Sequence, residues 1–237
     1  MDGWPLLIVV VLFASILQTS TGFGFSIIGT PFLFLLFPIH TAVQVNIVLS
    51  ICLSSFMIYK IRKEINKQLL ITLIKGSIFG LMIGLVVYLY MDVQILKMTV
   101  GILIIILTIL LILQLTIKQS DKRDLLTGGI SGLLTTSIGV PGPPLLLYFS
   151  SVGTNKATLR STTLAYYLFV YFASLIMQIS FGGTSSEVWI SSIVGLPSLI
   201  IGIFVGQLLF KWVSQKTFKI ITYIILIFTA VYLIVSA

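Results

Sequence analysis

Two stretches of this sequence place hydroxyl side chains just before glycines, within otherwise apolar surroundings. The first stretch is TSTGFGF and the second is TTSIGVPGPP. Their members are Thr19, Ser20, Thr21, Gly22 and Gly24 in the first, and Thr135, Thr136, Ser137, Gly139 and Gly142 in the second. Hydroxyls donate hydrogen bonds, and glycine lets a ligand approach backbone N–H groups closely. The two stretches therefore predict a binding site for an anion.

Prolines accompany both stretches and predict that each one interrupts a helix. Pro141, Pro143 and Pro144 fall within the second stretch, while Gly29 and Pro31 follow the first. Proline removes a backbone donor and clashes with the preceding turn of a helix. A helix that restarts after such a break presents free N–H groups and the positive end of its dipole, which favour anions. We expect the two breaks to meet near the middle of a membrane.

The composition indicates that these breaks lie in a membrane protein. Of the 237 residues, 58% are hydrophobic and 8% are charged, whereas a soluble domain carries about a quarter charged residues. Long apolar runs favour membrane-spanning helices over a β-barrel. The formal net charge is +8, but the basic residues are scattered among short loops. This placement indicates membrane topology rather than nucleic-acid binding.

The apolar runs define the predicted elements. Six of them have the length of ordinary membrane spans, at residues 42–60, 69–90, 95–117, 157–180, 188–210 and 217–236. Residues 4–37 are too long for one simple crossing, and residues 125–149 are interrupted. We predict a broken, re-entrant helical hairpin for each of these two segments. A single tilted crossing of residues 125–149 is the alternative.

The distribution of basic residues predicts the orientation. Four basic groups flank the predicted spans, around Lys60, Lys118, Lys156 and Lys216. If all four are cytoplasmic, both termini lie outside the plasma (inner) membrane and the two hairpins enter from opposite faces. A single crossing of residues 125–149 would place one basic group on the wrong side.

The two halves of the chain resemble each other in the order of these features. Residues 29–31 align with residues 142–144 at an offset of 113. Each half, residues 1–117 and residues 118–237, consists of a hairpin followed by three transmembrane helices. Because three crossings is an odd number, the halves must be oppositely oriented. The sequence therefore predicts an all-α integral membrane protein built as an inverted repeat, the architecture of many secondary transporters.

The polar residues of the predicted spans favour a negatively charged cargo. All six acidic residues are expected at termini or in loops, namely Asp2, Glu64, Asp92, Asp121, Asp124 and Glu187. A cation transporter or a carboxylate proton relay would keep an acid within a span. The spans contain amides such as Gln44 and Asn46 instead, and Arg160 is the best-placed basic side chain.

Two of these candidates have a structural alternative. Arg160 could extend to the cytoplasmic interface without touching cargo, because long basic side chains reach water in this way. Asn46 lies within a few residues of a broken segment and could stabilise the break rather than bind cargo.

The sequence offers no constellation for catalysis. An intramembrane enzyme needs a nucleophile with a base, or metal ligands, within the spans. The chain has one histidine, His40 at a predicted loop, and one cysteine, Cys52. We predict no enzymatic activity, no catalytic residues and no metal or other cofactor.

The pattern of broken segments resembles the TauE/SafE family, also called the toluenesulfonate uptake permeases. The resemblance rests on residues 22–31, 42–46, 139–144 and 157–161 and extends over essentially the whole chain. It implies secondary transport of sulfite, thiosulfate, sulfoacetate or other organosulfonates by alternating access. Ser161, next to Arg160, is a further candidate cargo contact. An anion channel of similar fold and a transporter of another small organic anion are the alternatives. The implied partners are a small sulfur-containing anion and membrane lipid, with a homodimer as one alternative for the assembly.

Overall fold

The fold is built from α-helices. The computed structural model describes residues 3–113, 118–212 and 215–235. Within these residues the chain forms ten α-helices and a short 3₁₀ turn at Arg62–Glu64. The helices are α1 Trp4–Thr21, α2 Phe25–Leu36, α3 Ile39–Ile61, α4 Lys67–Tyr90, α5 Val93–Ile112, α6 Asp121–Ile138, α7 Gly142–Val152, α8 Lys156–Gly182, α9 Ser186–Trp212 and α10 Gln215–Val235.

Five helical segments are long and apolar enough to cross a membrane, judged by length and composition among the described residues. They comprise α1, α3 with the turn after it, α4, α8 and α9, while α2 and parts of α5 and α10 are shorter apolar helices. Large apolar side chains such as Phe79, Phe204 and Phe228 are exposed on the outer surface. Lipid accommodates such side chains at no cost, so the fold suits a multi-pass membrane protein.

Most helices cover the predicted spans with small shifts at their ends. Residues 42–60, 69–90, 157–180 and 188–210 lie within α3, α4, α8 and α9. The span predicted at 95–117 overlaps α5, which ends at Ile112, and its residues 114–117 lie outside the described part of the chain. The span predicted at 217–236 overlaps α10, and residue 236 also lies outside the described part.

The two irregular segments each contain a pair of helices that fold back on each other. Gly3, which precedes α1, lies beside the end of α2, since a Cβ atom at Gly3 would be 3.1 Å from Leu36 Cδ2. In the second pair, the Tyr148 hydroxyl in α7 donates to the Asp124 carboxylate near the start of α6. The α1–α2 and α6–α7 pairs are therefore helical hairpins.

The hairpins turn at glycines with a positive φ. Gly22 and Gly24 between α1 and α2 have φ angles of 86° and 121°, and Gly139 after α6 has a φ of 74°. These angles disfavour any residue with a Cβ atom. The break predicted at Gly29 and Pro31 is wrong, because α2 continues through both residues.

A proline in these segments does not always coincide with an interruption of the helix. Pro141 immediately precedes α7, and Pro143 and Pro144 occupy its first turn. At these positions the missing N–H removes no intrahelical hydrogen bond. Pro31 lies in the interior of α2, where a membrane helix tolerates proline when neighbours satisfy the released backbone groups.

Contacts of α8 with α3 and with the segment that follows α3 define two ends of the molecule. At one end, the Asn66 N–H donates to Thr162 Oγ1 near the start of α8 at 3.0 Å. This basic end also carries Lys60 and Lys63. At the opposite end, Gln44 Nε2 donates to the Gly183 carbonyl, just after α8, at 2.8 Å. The helices α3 and α8 are therefore antiparallel.

The two hairpins open at different ends. Helix α6 runs parallel to α4, with Leu125 beside Gly76 and Leu133 beside Gly84, so the α6–α7 hairpin opens at the basic end, where α4 begins. Helix α1 runs parallel to α9, since Gly206 packs against Ile16 and Trp4 lies near Glu187 at the starts of the two helices. The α1–α2 hairpin therefore opens at the opposite end.

Asp124 departs from the prediction that every acidic residue lies at a terminus or in a loop. It is the fourth residue of α6 and is 1% exposed. Its carboxylate accepts hydrogen bonds from the Tyr148 hydroxyl and from Gln119 Nε2. These donors, together with the positive end of the α6 dipole, compensate for burial of the charge. Asp124 thereby ties α7 to α6 at the basic end.

Rows of glycine bring the hairpins close to the long helices. The four-residue spacing of Gly76, Gly80 and Gly84 predicts close helix packing, and all three lie in the contact of α4 with α6. A Cβ atom at Gly80 would be 1.9 Å from the Gly129 carbonyl oxygen. Gly202 and Gly206 on α9 are equally crowded by α1. The backbones touch at these positions, so no larger residue fits.

We expect Gly80→Ala to destabilise the protein by about 1–3 kcal/mol, because overpacking of a tight contact has this effect. Gly129→Ala, in the same interface, is the matched control, since a Cβ atom there would be 3.4 Å from its nearest neighbour, the Gly76 carbonyl oxygen. The thermal midpoint of each purified variant in detergent measures the difference. Equal midpoints for the two variants would contradict the close α4–α6 contact.

Candidate functional site

Polar residues form continuous stripes on the facing sides of α3 and α8. Residues three or four apart share one face of a helix, and α3 packs against α8. The stripe on α8 contains Arg160, Thr163, Tyr167, Tyr171, Ser174 and Gln178, and the stripe on α3 contains Asn46, Ser50 and Ser54. All nine side chains are buried. We call this set of residues the polar seam.

Every residue of the polar seam has a buried side-chain atom that makes no hydrogen bond within the protein. Most of these atoms are hydroxyl oxygens. The others are Asn46 Oδ1, Arg160 Nε and Gln178 Oε1. A buried polar group without a partner costs about 1–3 kcal/mol, and native proteins keep few of them. Because so many unpartnered polar atoms lie along one interface, we take the polar seam as the candidate binding site for a polar ligand.

The first turns of α2 and α7 complete the middle of the seam. The Tyr171 hydroxyl lies beside the hydroxyls of Ser26 on α2 and Ser50 on α3, although none of the three makes a hydrogen bond of standard geometry. Gly142, the first residue of α7, lies against Tyr167, since a Cβ atom at Gly142 would be 3.0 Å from the Tyr167 hydroxyl oxygen. Both hairpins therefore contribute to the seam.

Each hairpin tip packs against the third helix of the other half of the chain. Gly22 lies against α8, where a Cβ atom would be 2.8 Å from Arg160 Cα. Gly139 lies against α3, where its carbonyl accepts a hydrogen bond from Asn46 Nδ2 at 2.9 Å and where Val43 is a neighbour. Only glycine leaves room for these contacts.

The two interrupted segments meet inside the molecule, as expected from the sequence, since a Cβ atom at Gly142 of α7 would be 3.2 Å from Ile27 Cδ1 of α2. This contact lies beside Tyr167, near the middle of α8, whereas the glycine turns themselves lie nearer the ends. Arg160 and Val43, which contact the two tips, are the fifth residues of α8 and α3. Gly139 also contacts Asn46, the eighth residue of α3, so the tips lie about one to two helical turns inside the ends. The cause is helix length, because the 18 residues of α1 extend about 27 Å, nearly the full hydrocarbon thickness of about 30 Å.

Most of the hydroxyls predicted to bind cargo donate to carbonyls of their own helix. These residues are Ser20, Thr21, Thr135, Thr136, Ser137 and Ser161. Thr19 is the exception, because its buried hydroxyl has no partner in the protein. A hydroxyl that already donates its proton can only accept further hydrogen bonds, and an anion has no proton to donate to it. A Cβ atom at Gly206 would be 2.7 Å from Thr19 Cβ, so Thr19 lies in the contact of α1 with α9 rather than in the polar seam.

The two restarting helices offer different numbers of backbone donors. At the start of α2, the Phe25 N–H donates to Gln18 Oε1 at 3.0 Å, and the next two residues also carry N–H groups. At the start of α7, Pro143 and Pro144 have none, so Gly142 supplies the single N–H of the first three residues. The expectation that both helix starts present several amides is wrong for α7.

The two remaining predicted site residues lie apart, with Arg160 in the polar seam and Gln44 at the end of the molecule opposite the basic end. Gln44 is not part of the seam, because it donates to the Gly183 carbonyl and to the Tyr88 hydroxyl. Arg160 is 6% exposed, and its guanidinium carbon lies 4.1 Å from the centre of the Phe210 ring. Its head group therefore stays within the protein rather than extending freely into water.

Sequence reasoning missed the tyrosines of the seam. Tyr167 and Tyr171 look like ordinary apolar positions of a membrane span, and so does Ser26 on α2. The available signal is the spacing of polar residues along α8, where a hydroxyl, amide or guanidinium recurs every three or four residues from Arg160 to Gln178. Among the described residues, no three His, Cys, Asp or Glu side chains approach one another closely enough to hold a metal ion.

The profile of the sulfite exporter TauE/SafE family matches residues 7–233. The chain belongs to this family. Membership implies a membrane protein that transports sulfite or related sulfur-containing anions, which agrees with a buried seam rich in hydrogen-bond donors. No curated protein and no solved structure matches the sequence.

We expect Asn46→Ala to destabilise this TauE/SafE protein by about 1–3 kcal/mol, because it leaves the buried Gly139 carbonyl without its donor. Ser54→Ala is the matched control on the same stripe of α3, since the Ser54 hydroxyl is fully buried and has no partner to lose. Thermal midpoints in detergent separate the two variants. A midpoint for Asn46→Ala as high as that for Ser54→Ala would show that the bond does not secure the α6–α7 turn.

Proposed function

We propose that the protein is a secondary transporter that moves sulfur-containing anions by alternating access along the polar seam. Sulfite, thiosulfate, sulfoacetate and other organosulfonates form the substrate class. The observation that carries this proposal is the row of buried, unpartnered polar atoms between α3 and α8. The seam contains one cation, Arg160, and no acidic residue among its members.

The chemistry of the seam favours an anion over a cation. Sulfite and sulfonate groups carry several oxygens that accept hydrogen bonds. Hydroxyls and a guanidinium donate to such oxygens, and bonds to charged groups are stronger than those between neutral partners. We assign cargo contacts to Arg160 and the seam hydroxyls of Tyr167 and Tyr171. Asn46 supports the site through its bond to Gly139.

Residues 1–117 and 118–237 are proposed to form an inverted repeat. Helices α1, α2 and α3 begin at residues 4, 25 and 39, and α6, α7 and α8 begin at residues 121, 142 and 156, a constant separation of 117. This separation makes Gly22 the counterpart of Gly139 and replaces the sequence alignment at 113. The partners also correspond, since α1 packs against α9 as α6 packs against α4, and α2 against α10 as α7 against α5.

This arrangement supplies a route to alternating access. The seam lies where the third helix of one half meets the third helix of the other, and each of these helices supports the hairpin tip of the opposite half. Rocking of the halves about the seam would open it to one side and then to the other. We place the basic end in the cytoplasm and both termini outside the plasma membrane, in keeping with the positive-inside rule.

Counterflow in proteoliposomes tests the transport proposal. Vesicles loaded with unlabelled sulfoacetate or sulfite are expected to take up labelled anion above its equilibrium level, because a carrier exchanges cargo across the membrane. Liposomes without protein are the control. Flux without counterflow, at rates far above carrier turnover, would indicate an anion channel instead. The absence of both for sulfite, thiosulfate and sulfonates would contradict the proposal.

Tyr171→Phe tests the seam as the cargo path. The change removes one hydroxyl without altering side-chain volume, so we expect unchanged or higher thermal stability. Affinity for cargo should fall about tenfold or more, because a hydrogen bond to a charged group contributes about 1.5–3 kcal/mol. Tyr90→Phe is the control, at an 81% exposed position on α4. Ligand-induced stabilisation by sulfoacetate reports the affinity. An unchanged sulfoacetate response would remove Tyr171 from the site.

A further inference from the structure

An open groove of about 420 Å³ at the basic end leads to the buried end of the polar seam. Helix α3 contributes Lys60 to its wall, and α9 contributes Phe204, Gln207 and Phe210. Arg160 of α8 also lines the groove. Because Arg160 is the first residue of the α8 stripe and packs against Gly22, the groove ends where the seam begins.

A second groove adjoins the first and extends to the protein surface at the basic end. It has a volume of about 680 Å³ and shares Lys60, Phe204 and Gln207 with the first groove. Its wall adds Arg62 and Lys63 at the surface. The two grooves together form a continuous path, which we call the basic groove, from the surface at the basic end to Arg160.

The charges along the basic groove have a single sign. Its lining includes Lys60, Arg62, Lys63 and Arg160, and no acidic residue among the described residues that line it. A cleft of one charge with apolar walls concentrates oppositely charged solutes. Arg62 lies over the Tyr59 ring at 4.9 Å, and Lys60 donates to Gln207 Oε1. An anion can therefore be received by cations already oriented by their neighbours.

Arg160 lies at the inner end of this path and can bind an anion there. Its side chain is 6% exposed, and its Nε atom has no partner in the protein. The Phe210 ring contacts the guanidinium group at 4.1 Å and lies in the wall of the same groove. Stacking on an aromatic face orients a guanidinium group while leaving its N–H groups available to an anion.

We propose that the basic groove is the cytoplasmic entry site for the anionic cargo, with Lys60 as the receiving cation and Arg160 as the cation that passes the anion to the seam. The ligand class is a small sulfonate or related oxyanion. This inference rests on the proposed transport function for its role, but the attraction of anions to the groove is a separate physical property. The two can therefore be tested separately.

Charge-selective thiol labelling tests the groove without any transport. Leu208 lines it and is 61% exposed, so Leu208→Cys in a Cys52→Ala background places one thiol there. The anionic and cationic methanethiosulfonate reagents are compared, each rate divided by its rate with free cysteine. We expect the anionic reagent to be favoured. Adding Lys60→Gln should lower the anionic rate about fivefold and raise the cationic rate about fivefold, the effect of one unit charge about 4 Å away in water, so the preference should fall about 25-fold.

Lys67→Gln is the matched control for this charge removal. Lys67 is exposed at the start of α4, at the same end of the molecule, but it does not line either groove. The charge preference at residue 208 should be unchanged in this variant. Protection of the thiol by sulfoacetate, lost in Lys60→Gln and retained in Lys67→Gln, supports an entry site. Equal preference and equal protection in both variants would overturn it.

Transport kinetics separate the two proposals. With the basic end facing the assay solution, Lys60→Gln should raise the KM for sulfoacetate about fivefold, with little change in kcat, whereas Lys67→Gln should match the unmodified protein. If the unmodified protein shows no counterflow while labelling remains charge-selective, the transport proposal fails and the anion groove stands. If counterflow occurs but Lys60→Gln and Lys67→Gln give the same KM, the entry site is overturned and transport stands.

Discussion

The structure depends on one constraint, namely that an interrupted backbone inside a membrane must find its hydrogen-bond partners within the protein. The α6–α7 interruption meets this requirement through Asn46, which bonds the Gly139 carbonyl. At the other interruption, Gln18 accepts from the Phe25 N–H, and Gly22 fits against Arg160. Because the supporting helices belong to opposite halves of the chain, neither hairpin is complete without the other half.

Close backbone packing makes these interruptions rigid. The glycines of α4 and α9 bring those helices against α6 and α1 at distances that exclude a Cβ atom. Each hairpin is consequently clamped along its first helix by a long neighbouring helix. The contact between α3 and α8 is different, since its polar atoms are buried without partners. A tightly packed frame around a poorly satisfied interface is the arrangement expected where a ligand supplies the missing hydrogen bonds.

The two halves share a layout but differ in chemistry at matching positions. The separation of 117 residues makes Val43 the counterpart of Arg160 and Asn46 the counterpart of Thr163. Helix α3 therefore secures the tip at Gly139 with an amide, and α8 supplies a cation beside the tip at Gly22. The first turns also differ, because α2 retains its N–H groups while α7 has two prolines. These differences give the seam its single positive charge.

The sequence by itself determined the class of the protein and most of its elements. Hydropathy and the spacing of glycine are local properties, so the helices, the two interrupted segments and the contact glycines of α4 could be predicted from residue order. The family resemblance and the preference for an anion also followed from residue types. The turn at Gly22 was present in the sequence, but Pro31 gave a misleading second signal, because a proline inside a membrane helix can be tolerated by its surroundings.

Only the tertiary structure decided which polar groups are available to a ligand. Ser137 and Thr135 use their hydroxyl protons within α6, whereas Tyr167 and Tyr171 keep theirs unpartnered. Asp124 is buried rather than in a loop because Tyr148, more than 20 residues along the chain, reaches back to it. Residue type states what a side chain can donate or accept. Its neighbours in space decide whether that capacity is already used, and those neighbours lie far apart in the sequence.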